Sequence, residues 1–106
     1  MKTISREELK DKLDRGDDFK LVMTLNEWAF NARHIPGSIN ISNYHDAEKQ
    51  LAKDDEIVVY CSDAACIASQ ATYQYLVKRG FSNVRRYSGG LADWDAAGYP
   101  FEGEAA

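Results

Sequence analysis

Apolar residues fall into two spacings along this chain, and the alternation between them lays out the elements. Leu9 and Leu13 stand one helical turn apart behind Ser5-Arg6-Glu7-Glu8, where Ser5 is placed to cap a helix and Glu8 to reach back to it. A helix from about Arg6 to Arg15, closed by Gly16, is expected. Phe19-Lys20-Leu21-Val22-Met23-Thr24 is almost entirely apolar, as in a central strand buried on both faces. A short helical piece, Asn26 to Ala32, follows. Pro36-Gly37 suits the centre of a type II turn, so the chain reverses there before a brief alternating strand through Ile39 and Ile41. From Asn43 to Lys53 the pattern is helical, with Asn43 as cap and Ala47 and Leu51 on one face. The charged run Lys53-Asp54-Asp55-Glu56 is a solvated link into Ile57-Val58-Val59-Tyr60, a second buried strand that stops at Cys61. Beyond it the pattern predicts a helix carrying Ala71, Tyr75 and Leu76 and stopping at Gly80, with Phe81 docked after it. Asn83 to Tyr87 reads as a short strand. Gly89-Gly90 breaks the chain before a last helix, about Leu91 to Ala97, closed by Gly98 and Pro100.

Helices alternating with short apolar strands, joined by brief connections, imply an α/β fold with a central, mainly parallel sheet covered by helices on both faces. A chain of 106 residues suits one domain spanning residues 1–106, with the tail 102–106 expected to fray. The formal charge of -4 gives no basis for binding nucleic acid or an anionic membrane. The first residues lack the apolar segment of a signal peptide and no run reaches membrane-span length, so the expected location is the cytoplasm. Nothing in the pattern speaks to oligomeric state.

Cys61 and Cys66 are the only cysteines. Without further Cys or suitably spaced His they make no zinc site, and a single pair is no disulfide framework for a small secreted fold, so free thiols are expected. Cys61 stands where a strand meets a loop of small residues, Ser62-Asp63-Ala64-Ala65-Cys66-Ile67, that runs into a helix. In open parallel sheets sites form beyond the carboxyl ends of strands. A helix N-terminus offers unpaired N–H groups and a positive dipole end to an anion such as a thiolate. Cys61 is therefore the candidate nucleophile, set against the alternative of a small buried hydrophobe. Cys66 has two readings. It resolves an oxidised or sulfur-bearing Cys61 as a disulfide, if the Cα atoms approach within about 7 Å, or it is a core contact of the first helical turn.

Four motifs in order resemble the single-domain rhodanese pattern: His34-Ile35-Pro36-Gly37-Ser38-Ile39-Asn40-Ile41; Val58-Val59-Tyr60-Cys61; Arg79-Gly80-Phe81 with Asn83-Val84; and Gly89-Gly90-Leu91 with Trp94 and Ala97-Gly98-Tyr99-Pro100. The resemblance implies a small α/β domain acting as a sulfurtransferase. Cys61 would take a sulfane sulfur as a persulfide, and the backbone amides of Ser62, Asp63, Ala64, Ala65, Cys66 and Ile67 would hold it. A thiol, cyanide or protein acceptor would receive it, with no cofactor. The partners implied are a small sulfur compound or a protein persulfide. Two departures stand out. Family members often carry an Asp and an Arg at the end of the early strand, where this chain has Met23 and Leu25, and an arginine closing the active-site loop, where this chain has none. A phosphatase reading is weakened by that missing cation, and a persulfide or polysulfide donor gains over thiosulfate. Arg79, Arg85 and Arg86 are the candidates to supply charge from elsewhere. The rival readings are a non-catalytic rhodanese-fold binding or regulatory module, and a redox sensor built on Cys61 and Cys66.

Other residues read as structural. Asp63 is expected to cap N–H groups of the loop or helix, and Ser69 to cap the helix, with donation to bound sulfur the alternative for Ser62 and Ser69. His34 beside the Pro-Gly turn is expected to stabilise that turn and not to act as a base. Trp28 and Trp94 are expected to pack on the core or its rim. Arg85 and Arg86 should project from opposite faces of their strand.

Overall fold

The computed structural model describes residues 1–106. Its elements, in order, are α1 (Arg6–Arg15), β1 (Lys20–Met23), α2 (Glu27–Ala32), β2 (Ile39–Asn40), α3 (Ala47–Gln50), β3 (Glu56–Tyr60), α4 (Ile67–Lys78), β4 (Asn83–Arg86) and α5 (Gly90–Ala96). The four strands form one sheet in the order β2-β1-β3-β4, and every pairing is parallel. The two apolar runs take the central places, as strands without a solvent-facing side must.

Side chains alternate across the sheet and divide the core in two. Leu21, Met23, Val58 and Tyr60 face one layer with Leu9 of α1 and Trp94 of α5, against which Ala29 and Phe30 of α2 also pack. Val22, Ile57, Val59 and Val84 face the other, with Ala47 and Leu51 around α3, Leu76 of α4 and Phe81. Helices thus cover both faces. No helix is long and apolar enough to cross a membrane.

Local signals act as expected at most element ends. Ser5 caps α1 by accepting the Glu8 N–H at 3.1 Å, and Asn26 caps α2 by accepting that of Ala29 at 2.8 Å. Gly16 closes α1 at a φ of 72°. Two regions differ from the sequence reading. The helix expected from Asn43 to Lys53 is a 3-10 turn, Tyr44–Asp46, followed by the single turn of α3. Asn43 caps the 3-10 turn through His45 N–H, Leu51 is already extended, and the Asp55 carboxylate takes the Ala52 N–H at 2.9 Å, which turns the chain towards β3. The tail, expected to fray, is hydrogen-bonded. Glu102 forms an antiparallel bridge with His34, and Glu104 and Ala105 donate to the carbonyls of Asn31 and Ala32.

Candidate active site

Strand β3 delivers Cys61 to the carboxyl edge of the sheet, and α5 fixes the backbone there. The carbonyls of Cys61 and Ser62 accept the N–H groups of Leu91 at 3.0 Å and Ala92 at 2.9 Å. This contact needs a glycine at position 90. Its φ is +60°, and a Cβ would collide with the Cys61 carbonyl and lie 2.9 Å from the Ser62 carbonyl carbon.

Asp63 shapes the loop that follows. Its carboxylate accepts the Ala65 N–H at 3.0 Å and its carbonyl accepts the Cys66 N–H at 3.2 Å. The capping role read for Asp63 thus lies within the loop. It also corrects the expectation that every amide from Ser62 to Ile67 faces a ligand, since those of Ala65 and Cys66 are committed to Asp63. The N–H groups of Ser62, Asp63, Ala64 and Ile67 have no acceptor in the chain. α4 starts at Ile67 with no capping side chain, so the donors of its first turn remain open to an anion.

The two cysteines are joined, contrary to the free thiols expected. Cys61 and Cys66 form a disulfide with the Cα atoms 6.4 Å apart, inside the range such a bond spans. Of the two readings for Cys66, partner of Cys61 is the one the geometry favours. Cys61 is 1% exposed, whereas Cys66 is half-buried at the mouth of the loop.

Beneath the sulfur lies a polar assembly that the sequence only hinted at. Ser69, expected as a helix cap, is fully buried, and its hydroxyl lies 3.2 Å from Cys61 Sγ. The Ser69 oxygen accepts the Arg86 Nε–H at 2.8 Å, which leaves its own proton to be donated towards the sulfur. Arg86, 7% exposed, also donates through Nη2 to the carbonyls of Ala64 at 3.2 Å and Cys66 at 3.3 Å. One guanidinium therefore braces the loop and, through Ser69, backs the thiol. Of the three arginines considered, the other two are engaged elsewhere: Arg79 pairs with Glu48 at 2.8 Å, and Arg85 with Glu8 at 2.7 Å and Glu56 at 3.3 Å. The available signal was strand alternation, which sends Arg85 and Arg86 to opposite faces, combined with the register that pairs Arg86 with Val59, two residues before Cys61.

The remaining candidates support the fold. His34 stacks on Phe30 with ring centroids 3.9 Å apart, and its Nδ1 lies 2.8 Å from the Phe30 carbonyl, so it fastens α2 beside the Pro-Gly turn and is not directed at Cys61. Tyr60 anchors that turn, with its hydroxyl accepting the Ile35 N–H at 3.0 Å and lying 2.9 Å from Ser38 Oγ. Burial pushes the Tyr60 phenol up to about 12, outweighing the opposing effect of those two hydrogen bonds. Met23 is fully buried, and the end of β1 is held by Asn40, whose side-chain amide donates to the carbonyls of Met23 at 3.0 Å and Leu25 at 2.8 Å. An amide thus ties down the strand end that carries Met23 and Leu25. Trp94 is in the core as expected, but Trp28 is 80% exposed on α2. A six-residue helix at a layer's edge buries only the face carrying Ala29 and Phe30. A cleft between α1, the Pro36-Gly37 turn and Pro100 has no residue of the Cys61 to Ile67 loop in its walls.

Strand-end cysteine, short loop and helix start on an all-parallel sheet define the class. The family model for the rhodanese-like domain matches residues 5–97, and the chain belongs to that family. The thiosulfate sulfurtransferase GlpE of Pseudoalteromonas translucida is 37% identical over 71 residues, covering 65% of this chain and 66% of that protein. An HTH-type transcriptional regulator of Mycobacterium tuberculosis is 32% identical over 101 residues, 93% of this chain but 44% of the regulator. The chain thus spans about two thirds of the first relative and less than half of the second. The solution NMR structure of the rhodanese-like domain of the Anabaena protein Alr3790 superposes with a TM-score of 0.85 at 29% identity, covering 99% of this chain and 81% of that one.

Proposed function

We propose that this protein is a sulfurtransferase in which the Cys61 thiolate takes a sulfane sulfur and passes it to a thiol. The observation that carries the reading is the Arg86–Ser69–Cys61 chain, 2.8 Å and 3.2 Å in its two steps, beneath a loop with uncommitted amides. Once Cys61 is released from Cys66, its thiolate attacks the outer sulfur of thiosulfate or a persulfide. The S–S bond breaks, and sulfite or a thiolate leaves with the bonding pair. The terminal sulfur of the resulting persulfide is anionic, and the amides of Ser62, Asp63, Ala64 and Ile67 are the donors proposed to hold it. An incoming thiolate then takes that outer sulfur and regenerates Cys61. A reducing cytoplasm suits this cycle, because only the thiol form of Cys61 enters it.

The test is intact mass analysis of the reduced protein after exposure to thiosulfate or polysulfide. The wild type should acquire sulfur at Cys61. Acquisition that persists in Cys61→Ser removes Cys61 from the role.

A further inference from the structure

Cys66 has no task in a cycle that ends with an external acceptor, yet it reaches the nucleophile without displacing any element of the fold. From this pairing we infer a second outcome for the sulfur, resting on the sulfur-carrying role of Cys61 proposed above: the protein reduces sulfane sulfur to sulfide, with Cys66 as the resolving thiol.

The step balances within the chain. Persulfidated Cys61 carries its outer sulfur on Sγ, and the Cys66 thiolate attacks Sγ itself. The Cys61–Cys66 bond forms, the bond from Sγ to the outer sulfur breaks, and the outer sulfur leaves with the electron pair and takes up the proton given up by the Cys66 thiol, departing as hydrosulfide. Two cysteine thiols are oxidised to one disulfide and one sulfane sulfur is reduced to sulfide, so no further oxidant is required. Attack on the outer sulfur would only move the persulfide to Cys66.

Three observations support this route. The Cα separation of 6.4 Å lets the two side chains bond across the folded loop. Cys66 is the N-cap residue of α4, beside the uncapped first turn, and its carbonyl is held by Arg86 at 3.3 Å, so its thiolate would share the field that favours that of Cys61. The difference in exposure sets the direction of recovery. In the disulfide form half-buried Cys66 is the more exposed residue of the pair and the one an external thiol would meet first, whereas Cys61 is 1% exposed. Attack at Cys66 expels Cys61 as the thiolate, the leaving group that Ser69 and Arg86 stabilise, and a second thiol then frees Cys66.

The experiment uses protein fully reduced and then freed of reductant under anaerobic conditions, mixed with one equivalent of thiosulfate and, in a parallel run, of an alkyl persulfide. Sulfite, sulfide and intact mass are followed in the wild type and in Cys66→Ser. The wild type should release one sulfide per chain and finish as the Cys61–Cys66 disulfide, located by peptide mapping. In the thiosulfate run, whose leaving group is sulfite and not a thiol, Cys66→Ser should retain one added sulfur and release no sulfide until an external thiol is supplied. A wild type that holds its persulfide without sulfide release, or a Cys66→Ser variant that releases sulfide at the same rate, overturns the inference while leaving sulfur acceptance by Cys61 intact. Failure of either donor to load Cys61 in Cys66→Ser and in the wild type removes the sulfurtransferase reading and this inference together. Should Cys66→Ser prove unfolded, the wild-type sulfide count and disulfide map decide alone.

Discussion

Replacing Arg86 with methionine isolates what the buried guanidinium does, because methionine keeps much of the apolar stem while removing the charge and the donors. The two hydrogen bonds through Ser69 bound the separation between the Arg86 Nε and the Cys61 sulfur at about 6 Å. At an effective dielectric constant of about 20, a unit charge at that distance is worth ~2.8 kcal/mol to the thiolate, or about two pKa units. Counter-ions and water entering the loop reduce this, so an upward move of one to two pH units is expected in the midpoint of Cys61 ionisation. The assay is the pH dependence of alkylation by iodoacetamide, in a Cys66→Ser background so that Cys61 stays reduced. At a pH below both midpoints the Arg86→Met variant should react roughly tenfold to a hundredfold more slowly, since each pKa unit is there a factor of ten in thiolate. Stability falls too. The Ala64 and Cys66 carbonyls and the Ser69 hydroxyl each lose a charged donor, at a total cost of about 2–4 kcal/mol. Circular dichroism at the assay temperature establishes that the variant is folded. Arg86→Lys should recover part of the midpoint shift. A midpoint unchanged in folded Arg86→Met would refute the claim that Arg86 tunes the thiol.

Gly90→Ala combines a left-handed backbone with a collision against the Cys61 carbonyl, so it should cost more than about 3 kcal/mol and lower the thermal midpoint by over about 10 °C. A melt like that of the wild type would show that α5 can shift away from the loop. Tyr60 predicts an alkaline limit. Its folded-state value of about 12 lies above the unfolded value near 10, so the folded form holds the proton more tightly; this contribution is complete below pH 10 and lost as pH rises towards 12. Denaturant melts between pH 9 and 12 should show that loss in the wild type and not in Tyr60→Phe, whose stability is lower throughout but flatter. Trp28→Ser should change stability by less than about 0.5 kcal/mol, whereas Trp94→Ala should cost about 3–5 kcal/mol, and equal effects would contradict the burial difference between them. Initial-rate comparison of donors should give a higher kcat/KM for an alkyl persulfide than for the thiosulfate dianion, and the reverse order would imply that a cation reaches the substrate.

The elements legible from sequence were those whose signals are local. β1 and β3 announced themselves because a strand buried on both faces has no polar face, and α1 and α2 carried their own caps in Ser5 and Asn26. The segment after Asn43 misled because Ala47 and Leu51 sit one turn apart whether or not the helix continues, and both do pack in one layer. Past Gln50 the chain is extended, and the Ala52 N–H goes to the Asp55 carboxylate instead of a helical carbonyl, an arrangement the spacing does not register. The tail was misjudged for a related reason. Its bridge to His34 is a backbone pairing with a residue 68 positions away, which leaves no mark on side-chain pattern.

The site followed the same division. Cys61 was visible as the end of an apolar run, but which of Arg79, Arg85 and Arg86 serves it was not, because Arg86 reaches the loop only through the register of β3 and β4. Its position also changes what the missing loop arginine means. An arginine in the loop can meet a dianionic substrate directly, whereas Arg86 is 7% exposed and its side chain donates to Ser69 and to the carbonyls of Ala64 and Cys66. Positive charge is therefore spent on the thiolate and on loop shape, while the open mouth presents amides and the exposed Asp63. Such a division favours a reactive thiol with little attraction for highly charged donors. Cys66 is joined to Cys61 Sγ in the same place, so that the geometry linking the two cysteines and the guanidinium behind one of them belong to a single assembly.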